Sequence, residues 1–123
     1  MKYIISENTL EKLIMSHIDK YYNLDDINWT HMEDEWGDEI EGVVFYIGDY
    51  SDGDTIFRWY GPKYWTDDNT YKKELSPIVT VEDEKFINEM MGFFNDKWIP
   101  VFKEWFNKKF KVFGAKTIDY YSY

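Results

Sequence analysis

The sequence predicts an α+β fold: an antiparallel sheet built on a central hairpin, with about three helices packed on one face. Three observations predict it. Apolar residues at helical spacing open the chain and return after residue 81. Between them runs a β-branched and aromatic ribbon around a glycine turn, "VVFYIGDYSDGDTIFRWY". The 123 residues are 44% apolar and 21% aromatic, enough for a single domain, residues 1–123, with one modest core.

The elements follow in order. Residues 7–22 read as a helix. Ser6 is its candidate N-cap, Glu7 and Glu11 suit its positive end, and Leu10, Leu13, Ile14, His17, Ile18 and Tyr21 share one face. "INWTHM", residues 27–32, reads as a first strand. The hairpin spans residues 43–60, with "SDGD" at 51–54 as its loop and Gly53 supplying a positive φ. Strand alternation sets Val43, Phe45 and Ile47 on one face and Val44 and Tyr46 on the other. "GPKYWTDDNTYKKELSP" reads as an ordered loop carrying Tyr64, Trp65 and Tyr71. "PIVTV" fits a short strand or a lead into a helix.

A second helix is expected from near Val81, with Thr80 and Asp83 at the spacing of a capping box. Its buried stripe is Phe86, Ile87, Met90, Met91 and Phe94. Asp96 is expected to cap a third helix that tolerates Pro100 in its first turn and ends at Gly114. There Phe102, Trp105, Phe106 and Phe110 form the buried stripe, and Lys103, Lys108, Lys109 and Lys111 the wet face. "KTIDYYSY" is expected to return to the sheet as an edge strand.

Composition narrows the function. No cysteine is present, so disulfides and thiolate metal sites are excluded. No apolar stretch reaches the length of a membrane span, and the opening lacks a signal-peptide pattern, so a cytoplasmic location is expected. The net charge of −10 disfavours direct contact with nucleic acid, whose phosphates call for Lys and Arg. That charge is unevenly placed. Residues 33–54 hold nine acids and no base, whereas residues 85–123 hold seven lysines against four acids.

The densest part is "EDEWGDEIEG", residues 33–42. Glu33, Asp34, Glu35, Asp38, Glu39 and Glu41 have no base within the stretch to pair with, and like charges at this density repel. A solvated loop, a surface mimicking phosphates before a basic partner, and a metal site are the readings open to it. Trp36 fits either a core anchor under a charged rim or an interface anchor. Asp49, Asp52 and Asp54 resemble a cation loop only superficially. The calcium-loop pattern needs a glutamate where Trp59 stands, so these residues read as a hairpin turn.

Catalytic machinery is scarce. Ser6, Ser51, Ser76 and Ser122 lie outside any nucleophile motif, and no phosphate-cradling glycine pattern occurs. His17 reads as a boundary residue of the first helix. His31, near Glu33, is the one histidine placed for acid–base pairing. The chain is expected to be no enzyme and to use no cofactor and no metal.

The opening "MKYIISENTLEKLI" resembles the start of many small proteins from tailed bacteriophages and environmental viromes. These open with Met-Lys, an Ile-rich triplet, Ser-Glu and an amphipathic helix. The hairpin "FYIGDYSDGDTIFRWY" is similar to that group as well. The resemblance implies a phage origin and a non-enzymatic accessory or virion role, and it carries over no catalytic residue.

The expected function is binding of a basic surface on a host protein, as an inhibitor that mimics nucleic acid before a defence nuclease. The expected contact residues are Glu33, Asp34, Glu35, Trp36, Asp38, Glu39 and Glu41, with Asp49, Asp52 and Asp54 on the hairpin. The alternatives are a virion or assembly component, with Trp59, Tyr64 and Trp65 at subunit contacts, and an immunity protein against a basic toxin.

Overall fold

The computed structural model describes residues 7–33, 39–48, 54–61 and 77–120. They form α1 (Glu7–Tyr21), β1 (Ile27–Glu33), β2 (Glu39–Ile47), β3 (Asp54–Tyr60), β4 (Ile78–Val81), α2 (Glu84–Phe94), α3 (Trp98–Lys109) and β5 (Thr117–Tyr120). Short 3-10 turns precede β1 at Leu24–Asp26 and join α2 directly to α3 at Asn95–Lys97. The strands lie in the order β1-β2-β3-β4-β5.

The first three pairings are antiparallel, and β4 pairs with β5 in parallel. The sheet is therefore mixed, which corrects the antiparallel expectation. The chain leaves β4, runs through α2 and α3 over one face, and re-enters alongside β4 in the same direction. A helical crossover of this kind is what a parallel neighbour requires.

One face of the sheet meets the helices. Val43 and Phe45 of β2, Phe57 and Trp59 of β3, Val79 and Val81 of β4 and Ile118 of β5 face them in register. Above them pack Ile14, Ile18 and Tyr22 from the first helix and its end, Phe86, Ile87 and Met90 from α2, and Trp98, Val101, Phe102, Trp105 and Phe106 from α3. Phe57 is the hub of this aromatic core. Its ring lies within 4.8 to 6.3 Å of the rings of Tyr22, Phe45, Phe102, Trp105, Phe106 and Phe110, mostly edge to face. Quadrupolar rings favour that arrangement.

Several boundaries differ from the sequence expectation for local reasons. Val81 ends β4, and Asp83, not Thr80, caps α2: its Oδ1 accepts the Phe86 N–H at 3.2 Å. Asp83 also accepts the Tyr22 hydroxyl at 2.8 Å, so one carboxylate joins the end of α1 to the start of α2. Beyond the last rung of β3 and β4, the Ile56 carbonyl accepts the N–H groups of Glu82 at 2.8 Å and Asp83 at 3.1 Å. α3 begins at Trp98 with no side-chain cap, so Asp96 lies in the preceding turn. It ends at Lys109, well before Gly114. Asn107 then holds the linker to β5, donating to the Ala115 carbonyl and accepting its N–H. On α1 the buried stripe is Ile14, Ile18 and then Tyr22, leaving Leu13 52% exposed. Ser6 and the loop residues 51–53 and 62–76 lie outside the described residues.

Candidate partner-binding surface

The acidic positions fall at two ends of the ribbon. Glu33 closes β1 and Glu39 opens β2, and their Cα positions are direct cross-strand partners. Like charges at directly paired positions of two strands are unfavourable, because neither position can relieve the other's charge. Glu41 lies two residues further along β2. Its carbonyl accepts the Gly61 N–H at 2.9 Å, and its side chain crosses the space that a Cβ on residue 61 would fill. Glycine at 61 thus lets the end of β3 pass directly beneath a carboxylate.

Asp54 is at the other end. It pairs with Ile47, which closes β2 about 25 Å from Glu39 at the usual strand rise. Gly48, at φ 86°, takes the backbone out of β2 there in a left-handed conformation suited to glycine. Glu33, Glu39 and Glu41 are brought together; Asp54 is held apart from them. Asp34, Glu35, Trp36, Asp38, Asp49 and Asp52 lie outside the described residues.

Among the described residues the ion pairs join His17 to Glu89, Arg58 to Glu82 and Lys109 to Asp19, and none involves Glu33. The C-terminal lysines therefore do not neutralise that position. Lys108 and Lys109 are instead exposed in the last turn of α3, while Trp105 and Phe106 point into the core, as the sequence spacing predicts. No group of His, Asp and Glu among the described residues is arranged to hold a metal ion. No helix among them is long and apolar enough to cross a membrane.

The two histidines have separate surroundings. His17 Nε2 lies 2.7 Å from Glu89 Oε2, between the rings of Phe93 and Phe94. His31 is exposed on β1 and stands edge-on to Trp29, with ring centroids 5.6 Å apart. Trp29 itself is 48% exposed, although its register partner Phe45 is wholly buried. The ring that reaches Trp29 from the helical side is Phe113, in the linker after α3, at 5.4 Å. Trp59 behaves oppositely: it is buried and donates its indole N–H to the Gly114 carbonyl at 2.8 Å. Trp59 therefore cannot serve as the exposed subunit contact that the assembly reading assigned to it.

No family model matches this chain, and no curated protein or solved structure does. Its geometry alone therefore bears on its function.

The opposite face of the sheet holds one more polar group. Arg58 of β3 stands between Val44 and Thr80 in register, and its Nε lies 2.7 Å from Glu82 Oε2. Thr80 Oγ1, beside them, is buried with no hydrogen bond. Burial pushes the Glu82 carboxyl above its ordinary pKa, outweighing the opposite pull of the Arg58 guanidinium. The fold thus favours the protonated form. Its contribution is fully present below the ordinary carboxylate pKa and is lost as pH rises through the raised one. Chemical denaturation of the native chain and Glu82→Gln between acidic and neutral pH should therefore show the native chain losing stability relative to the variant as pH rises. A relative gain would make the ion pair the dominant effect.

Proposed function

We propose that this chain is a small acidic accessory protein of bacteriophage type that acts without catalysis. It binds a basic surface on a host protein and stands in for nucleic acid before a defence nuclease. The observation that carries this reading is the cross-strand pairing of Glu33 with Glu39, with no described ion pair neutralising Glu33. The fold sets two glutamates at paired backbone positions at one end of its ribbon, and an Arg- and Lys-rich partner would offset the negative charge gathered there. The net charge of −10 adds long-range attraction to such a partner.

The proposed contact is the end of the ribbon that holds Glu33, Glu39 and Glu41; Asp54, at the far end of β2, is left out of it. Complementary charge acts chiefly on the rate of encounter. Binding to purified host nucleases, followed over a salt series, should show the association rate falling roughly 10- to 1000-fold from low to high salt. The double variant Glu33→Lys and Glu39→Lys should abolish binding and leave the circular dichroism unchanged. Salt-insensitive binding, or none, overturns the proposal. The same physics serves an immunity protein facing a basic toxin, and the partner recovered distinguishes the two.

A further inference from the structure

Among the described residues the first strand has a neighbour on one side only. β1 pairs with β2, and among the described residues no strand lies along its other edge. Alternate residues of an edge strand turn their N–H and C=O groups away from the sheet, where they can receive another strand. Proteins commonly guard such edges with lysine, proline or short length. The opposite edge, β5, is four residues long, whereas β1 is seven residues, "INWTHME", with neither lysine nor proline. Its pairing with β2 is regular from Ile27 to His31 and shifts register only before Glu33.

The edge strand itself offers an apolar shelf: Trp29 is 48% exposed, and Phe113 supports it from behind. The strand ends at the exposed Glu33, whose register partner in β2 is Glu39. An unpaired backbone edge, an apolar shelf and an acidic end together match the way extended peptides add to sheets. Main-chain hydrogen bonds give the affinity and alternate side chains give the selectivity.

Resting on the proposed binding of a basic partner, we infer that the β1 edge takes an extended basic segment of that partner as an added strand. Alternate apolar side chains of the segment lie on Trp29, and its lysines or arginines lie along the end of β1 that holds Glu33. A second copy of this chain is the poorer occupant, because each copy brings a charge of −10.

The test uses a synthetic nonapeptide of alternating valine and lysine, with a second version N-methylated at alternate residues. N-methylation removes main-chain donors and keeps every charge. Binding and amide hydrogen exchange are followed by NMR at low salt. The expected result is exchange protection confined to Ile27–His31, with the methylated peptide weaker by about tenfold or more, several hydrogen bonds being lost. Trp29→Ser is expected to weaken the unmethylated peptide as well, and unchanged affinity overturns the role of the shelf. Equal, salt-dependent binding of both peptides overturns the added strand and leaves the electrostatic reading standing. Binding of neither overturns the inference, while the nuclease salt series judges the wider reading separately. Protection of β1 that rises with protein concentration, without peptide, assigns the edge to a second copy and overturns the proposal.

Discussion

Replacing Phe57 by alanine is expected to destabilise the protein by about 4 kcal/mol, the range found when a fully buried aromatic leaves a cavity. Phe57 has no solvent exposure, and its ring meets six others drawn from β2, α3, the end of α1 and the residue after α3. The cavity would open where sheet and helices meet, so no single element can move to fill it. Rings held edge to face also lose their mutual orientation once the central one is gone. For a domain of this size the loss corresponds to roughly 15 °C in Tm. Phe57→Leu keeps most of the volume and should cost well under half as much. Val112→Ala is the control: at 91% exposure its effect should stay within about 0.5 kcal/mol. Urea denaturation of the three variants measures the series. A small loss for Phe57→Ala would mean that the helical layer closes over the gap.

The second large effect is expected at Asp83. Asp83→Ala removes the cap on the Phe86 N–H, worth about 1 kcal/mol, and strands the Tyr22 hydroxyl, worth roughly 1–3 kcal/mol when buried. The combined loss is about 3 kcal/mol. Asp83→Asn retains a side-chain acceptor and should recover most of it. Adding Tyr22→Phe to Asp83→Ala should restore part of the loss, because the stranded hydroxyl goes with it, and a double-mutant cycle isolates that coupling.

The same pair sets the alkaline limit. Burial, and then the negative Asp83 beside it, push the Tyr22 phenol well above its ordinary pKa. The fold favours the neutral phenol, so this contribution is intact below about pH 10 and is lost as pH climbs beyond the ordinary tyrosine range. The steep alkaline fall in stability should therefore flatten in Tyr22→Phe. An unchanged slope would place the alkaline weakness elsewhere.

How much of this was legible differs from element to element. α1 and the β2–β3 hairpin could be read because each carries its own periodicity. Ile14 and Ile18 recur at helical spacing, and Val43 with Phe45 and Phe57 with Trp59 recur at strand spacing on one face. The pairing of β5 was not legible. "TIDY" has the same local pattern whether it lies parallel or antiparallel, and only the path through α2 and α3 decides. The cap of α2 was misread because Thr80 and Asp83 fit a capping box in spacing alone. The pull of the Ile56 carbonyl on residues 82 and 83 extends the strand instead.

The candidate surface was legible as charge and illegible as geometry. Nine acids between residues 33 and 54 look like one cluster along the chain, yet β2 separates Glu39 from the position of Asp54. The two tryptophans show the complementary failure. Trp29 and Trp59 both sit in strands on the helical face, and the sequence around them gives no reason to expose one and bury the other. The difference comes from Phe113 and Gly114, whose linker covers Trp59 and only flanks Trp29.

The parallel contact between β4 and β5 bears on the order of assembly. Strands β1, β2 and β3 meet their partners across short separations, but Val79 must wait for Ile118. During synthesis the ribbon can form while Val79 and Val81 still have one bare flank. Contacts between distant parts of a chain bear the greater closure entropy and form late. The last rung of the sheet is thus a latch, set only after both later helices have emerged and folded back. A chain shortened before residue 117 would retain its ribbon and lose its closure.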